Sequence, residues 1–230
     1  MSTRGLLPLR SDAYQPHDRN AETPEMTRSE PKQRLKGVER ANAILDAFES
    51  LLEESDVGDI SIANVAERAD VKRTLVYHFF PTVDAMVDAL TDRYCKEIQQ
   101  RCLSRFSGDA RSDFRTTFGG ISRVHADFLN ENKAAAKLLL GSENPDAPLH
   151  VRARPAPQLA STVSEIIEAH TETAHSGDSS RAFPDVVQVL LELTTTLFTA
   201  RRRKDGRITD EASEEAANIA AAYIDSSNSH

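Results

Sequence analysis

The chain has 230 residues, 28% of them charged and 39% hydrophobic, with a formal net charge of −8. That is the balance of one ordinary folded domain or two small ones, and the wrong sign for a general nucleic-acid coat, although DNA binding through a local basic patch stays open. No apolar run approaches the ~20 residues that span a bilayer, and the apolar core of the start, GLLPL, is too short for a signal peptide. A cytoplasmic location and no membrane partner are therefore expected.

Residues 1–33 read as a disordered tail, because Pro8, Pro16, Pro24 and Pro31 interrupt it and no apolar periodicity survives. Met26 offers an alternative start. From Arg34 the pattern is helical. Val38, Ala41, Ile44, Leu45, Phe48, Leu51 and Leu52 recur at helical spacing, and Asp56, Gly58 and Asp59 then break the chain. Ser61 is placed to cap a short helix carrying Ile62, Val65 and Ala66. Asp70 sits in a tight turn, and a second short helix runs from about Lys72 to Phe79. Pro81 and Thr82 end it and open a longer helix with Val83, Met86, Leu90, Tyr94, Ile98, Cys102 and Phe106 on one face.

A further apolar stripe follows at Phe114, Phe118, Ile121, Val124 and Phe128, then a shorter helix over Lys133 to Leu140. Two loops rich in proline and polar residues, GSENPDAPLHVRARPAP and TAHSGDSSRAFP, flank a helix marked by Leu159, Val163, Ile166 and Ile167. In DVVQVLLELTTTLFTA, Glu192 is the one charged residue after Asp185, so this helix must be covered on more than one side. RRRKDGR is expected to stop it, its cations complementing the helix dipole. Thr209 opens an alanine-rich helix to about Ile224. With no strand alternation and no internal repeat, the expected fold is all-α.

Cys95 and Cys102 lie seven residues apart in one helical pattern, roughly 10 Å along its axis, too far for a disulfide between them. Two small core residues are the expected reading. His125, His150, His170 and His175 do not show the spacing of a helical ligand pair; His125 reads as a core or pocket histidine. There is no Gly-rich phosphate loop, HExxH or Gly-x-Ser-x-Gly. No cofactor, no metal and no catalytic residue are expected.

The two short helices, about Ile62 to Arg68 and Lys72 to Phe79, stand about three residues apart, which is helix-turn-helix spacing. Asp70 is tolerated in the left-handed turn that glycine favours. On the second helix Val76, Phe79 and Phe80 point one way, with Val71 packing at its start. Arg73, Thr74, Tyr77 and His78 share the other face. That face offers a guanidinium for guanine edges or phosphate, and hydroxyls and an imidazole for phosphate oxygens, while Leu75 flanks it within reach of a thymine methyl.

The segment ISIANVAERADVKRTLVYHFFPTVDAMVDAL, within a match from about Arg34 to Leu90, resembles the DNA-binding segment of TetR-type (tetracycline repressor-like) regulators. Ile62, Val65, Ala66, Ala69, Val71, Tyr77, Phe80, Ala85 and Met86 stand where that family's pattern places such residues. Three positions depart from it. The turn glycine is Asp70, the usual Ser or Thr opening the recognition helix is Lys72, and the usual phosphate-binding Lys of the next helix is Val83. Lys32, Arg34, Lys36 and Arg40, crowding the start of the first helix, are candidate substitutes on phosphate. Asp46, Glu49, Glu53, Glu54, Asp56 and Asp59 read as a face turned from DNA.

The resemblance implies a three-helix DNA-binding domain over residues 34–82 and a helical domain for ligand binding and dimerisation over residues 83–226. It implies a homodimer on a palindromic double-stranded operator, repression as the default, and release by a small organic effector. The expected DNA-binding residues are Arg34, Lys36, Ser61, Lys72, Arg73, Thr74, Leu75, Tyr77 and His78. The dimer interface is expected from the surplus apolar face of Val186 to Phe198, including Leu190, with the Ala216, Ala217, Ala220 and Ala221 series. The alternative of a different class is an all-helical enzyme or interaction scaffold using the same C-terminal cavity.

Overall fold

The computed structural model describes residues 31–108, 111–141, 157–171 and 183–227. Among them the chain is all-α, with one isolated parallel bridge between Ser112 and Thr171. The helices are α1 (Pro31–Glu54), α2 (Ile62–Arg68), α3 (Arg73–Phe79), α4 (Val83–Arg105), α5 (Phe114–Glu131), α6 (Lys133–Leu140), α7 (Pro157–His170), α8 (Phe183–Asp205) and α9 (Asp210–Ser227), with a 3-10 turn at Val57–Asp59. Helix α1 begins inside the stretch expected as tail; a proline suits a first helical turn, where its missing N–H costs nothing. Residues 1–30 of that tail, and most of both expected loops, lie outside the described residues.

The first three helices close on Ile44, Phe48, Leu52, Val65 and Val76, all fully buried, and Met86 and Leu90 of α4 complete the same core. Helix α4 therefore belongs to both halves of the molecule. Farther along it Tyr94 meets the Phe128 ring edge-on at 5.8 Å, binding α4 to α5.

Helices α5 and α9 run antiparallel. At one end Arg115 donates to Asn218, and at the other the Asn130 amide donates to the Ile208 carbonyl at 2.8 Å and accepts from its N–H at 3.0 Å. The close approach depends on small side chains: a Cβ on Gly119 would stand 3.3 Å from that of Ala217. Helix α7 packs on α4 and α8.

Helix α8 continues through the basic run to Asp205 rather than stopping before it, with Arg202, Arg203 and Lys204 in its last turn. There they face the negative end of the helix dipole. Gly206, at φ 73°, ends the helix, its N–H bonded to the Arg202 carbonyl at 2.8 Å. Leu190 and Ala220, expected to face a second chain, are 1% and 2% exposed within this one. The apolar side chains left outside are Leu193 and Ile219, 43% and 41% exposed.

Cys95 and Cys102 are buried and form no disulfide. His125 is buried against Phe198, with ring centroids 5.6 Å apart. His170 instead serves the backbone, its ring nitrogens each 2.9 Å from a carbonyl oxygen, those of Ile166 and Gly108. Among the described residues no helix is long and apolar enough to cross a membrane.

Candidate nucleic-acid interface

The interface is built around the turn between α2 and α3. Ser61 caps α2 as expected: its Oγ accepts the Asn64 N–H at 3.3 Å while the Asn64 side chain accepts the Ser61 N–H at 3.0 Å, a reciprocal capping box. At the other end of α2 the Asp70 N–H bonds the Glu67 carbonyl at 3.2 Å and the Val71 N–H bonds that of Ala66 at 2.9 Å. This pair of bonds is a Schellman termination, and it places the residue between them in the left-handed region. Asp70 occupies that place at φ 51°.

Lys72 precedes α3 as its N-cap with extended backbone and makes no side-chain capping bond, so it lies just outside the helix it was expected to begin. Within α3 the two faces separate as the spacing predicts. Val76 is fully buried and Phe80 nearly so, whereas Lys72, Arg73, Thr74, Tyr77 and His78 are exposed and Leu75 is half-buried beside them. Tyr77 stands out at 55% exposure.

Helix α1 supplies the other wall. Arg40, Val71, Lys72, Thr74, Leu75 and His78 line an open groove between α1 and α3. Lys36 is exposed on the same helix. The side chains of Lys32 and Arg34 lie outside the described residues. On α4 the Thr82 Oγ1 caps the Ala85 N–H at 3.1 Å, and Val83 offers no cation at the first position.

The acids that outweigh these cations are engaged elsewhere. Asp46 and Glu49 both receive Arg93 of α4, Asp46 at 2.6 Å. Glu54 receives Arg68 at 2.7 Å, and that hydrogen-bonded guanidinium holds its carboxyl below the usual carboxylate range. Asp56 stands 3.9 Å from the Lys137 ammonium. Most of the acidic run on and after α1 thus faces neighbouring helices.

Lys137 was not singled out in the sequence. Its ammonium donates to the carbonyls of Leu52 and Ser55, at 2.7 and 2.9 Å, at the C-terminal end of α1. The available signal was a charge inside the apolar run of KAAAKLLL, where only a satisfied cation is tolerated.

No family model matches the chain. A segment of 104 residues is 34% identical to the HTH-type transcriptional regulator EthR of Mycobacterium tuberculosis, covering 45% of this chain and 48% of EthR. The chain thus spans about half, 48%, of the curated relative it matches. A TetR-family transcriptional regulator from Streptomyces coelicolor superposes with a TM-score of 0.62 at 23% identity, over 82% of this chain and 97% of that one. The multidrug binding protein EbrR complexed with imidazole does so with a TM-score of 0.51 at 17% identity, over 83% and 90%. The fold is the one these regulators have, an N-terminal helix-turn-helix unit joined to a helical C-terminal bundle, and the resemblance read from residues 60–90 agrees with it.

Proposed function

We propose that this chain, a TetR-type regulator by fold and by the residues of its helix-turn-helix, represses transcription by binding a palindromic operator as a homodimer and is released by a small organic effector. The observation that carries the reading is the outward face of α3. Arg73, Thr74, Tyr77 and His78 project from a helix whose opposite side is locked into the core by Val76 and Phe80. A helix held this way lies in a major groove with its polar face toward base edges. Arg73 suits guanine or phosphate, and Thr74, Tyr77 and His78 suit phosphate oxygens. Lys36, Lys72 and the Ser61 end of α2 flank it on the sugar-phosphate backbone, and Leu75 meets a thymine methyl.

The reading of two chains rests on α8 and α9. Leu193, Leu197 and Ile219 line one shallow apolar groove between them. A second copy covering that groove about a two-fold axis buries both surplus faces, and obligate dimers of this kind bury about 2,000 Å² or more. The dimer then sets two α3 helices a helical turn of DNA apart, roughly 34 Å, or a multiple of it.

Release follows from population shift. An effector that binds one arrangement of the dimer better than another moves the α3 spacing away from the operator's. The structural neighbour EbrR is named for multidrug binding and was solved with imidazole; we carry the class, a small organic molecule, to this C-terminal bundle. The reading asks the chain to catalyse nothing. The test is a selection from randomised duplexes by the full chain, checked by gel shift on its own upstream DNA. Enrichment of a two-fold-related sequence is expected; enrichment of none overturns the reading.

A further inference from the structure

Helix α6 touches both halves of the molecule through polar bonds made in an otherwise apolar setting. Ala134, Ala135, Ala136, Leu138, Leu139 and Leu140 are all buried. At its start Asn132 caps the helix, its Oδ1 accepting the Ala135 N–H at 2.8 Å, and its Nδ2 reaches Glu49 of α1 at 3.3 Å. At its end the Leu140 carbonyl accepts from Thr199 of α8 at 3.1 Å. Between them Lys137, with a side chain only 13% exposed, binds the last carbonyls of α1.

An ammonium held from water in this way contributes little net stability, because its desolvation offsets what its bonds return, and an apolar side chain of the same volume does as well. What it supplies is direction. Its donors are satisfied only where the unpaired carbonyls at the end of α1 converge. Glu49, one turn earlier on α1, is the matching acceptor: Arg93 and Tyr94 of α4 donate to it, Tyr94 at 2.7 Å, along with Asn132. Three helices of the two halves thus meet at two oppositely charged side chains.

We propose that Lys137 and Glu49 are positioning residues that fix the angle of the DNA-binding headpiece, α1 to α3, against the C-terminal bundle. The inference rests on the DNA-binding reading above for its consequence, though not for its geometry.

Two measurements on the full chain separate the geometry from the function. Spin labels on Glu67→Cys and Glu168→Cys, both exposed sites, report the distance from headpiece to bundle within one chain when labelled protein is diluted with unlabelled. Lys137→Met should broaden that distance distribution, and Lys137→Arg, which keeps donors at the same place, should retain the narrow one. On duplexes selected by the wild-type protein, Lys137→Met should lose the preference for the selected half-site spacing over one lengthened by a base pair, while Lys137→Arg keeps it. A merely structural role lowers the melting temperature and weakens both duplexes alike, leaving that preference intact. Should Lys137→Met not fold, Glu49→Gln is read in the same two ways. A distribution as narrow as wild type overturns the proposal even where DNA binding is found. A broadened distribution in a chain that selects no duplex supports the joint and removes only the operator.

Discussion

The Val71 amide reaches back 2.9 Å to the Ala66 carbonyl, and the bond closes a turn that holds Asp70, between them, at a φ of 51°. A side chain in that region costs roughly 1 kcal/mol or more, less for Asp than for a bulkier residue, and glycine escapes it. Asp70→Gly should raise stability by about 1 kcal/mol, seen as a higher urea midpoint at unchanged slope. A midpoint that stays put or falls means the Asp70 side chain makes local bonds that outweigh the strain.

On α3, Arg73→Ala and Tyr77→Phe change side chains that leave the core untouched. Each should weaken operator binding by ~1–3 kcal/mol with a wild-type melting temperature. Full affinity in both variants at physiological salt would remove α3 from the groove.

Lys36 and Arg40 are exposed cations of α1, and Arg40 lines the groove against α3. Removing either should flatten the dependence of log affinity on log salt by about one unit. A slope that stays the same after both changes leaves the α1–α3 groove without a phosphate. Val83→Lys should act in the opposite sense, steepening the slope by about one unit.

Assembly is tested at Leu193 and Ile219 rather than at Leu190 or Ala220, because a charge at the buried pair disrupts the chain itself. Leu193→Arg or Ile219→Arg should yield folded monomers by light scattering and lose binding to the full operator. A variant that scatters as a monomer yet binds as tightly as wild type would refute the dimer as the binding unit, as would a monomeric wild type at micromolar concentration.

Burial lowers the His125 imidazole from 6.5 to about 4. Between those values the unfolded chain takes up a proton that the folded chain excludes. The contribution of the neutral ring is complete above pH 6.5 and is lost as pH falls toward about 4. The whole drop is on the order of 3 kcal/mol. His125→Leu should remove that part of the difference in unfolding free energy between pH 7 and pH 4. A pH profile parallel to wild type would show the ring to be solvated.

Helix positions were legible wherever one apolar face repeats, as in α4 and α5, and the outward face of α3 was legible because Val76 and Phe80 fix which way that helix turns. The surplus surface of α8 was not. Periodicity shows that a helix is apolar on several sides but not which side its own chain covers, so Leu190 was assigned outward when Leu193 holds that place. Lys137 escaped for a related reason: its partners are backbone carbonyls far along the chain, which leave no mark in the residue types near it.

Both thiols of the protein sit on the inner face of α4, and burial pushes that of Cys102 up to about 12. A sulfur kept in the thiol form and out of contact with solvent is a poor nucleophile toward peroxides, nitrosothiols or electrophilic alkylators. The sequence has no other cysteine. Oxidative and electrophilic stress therefore find no solvent-exposed thiol in the folded chain.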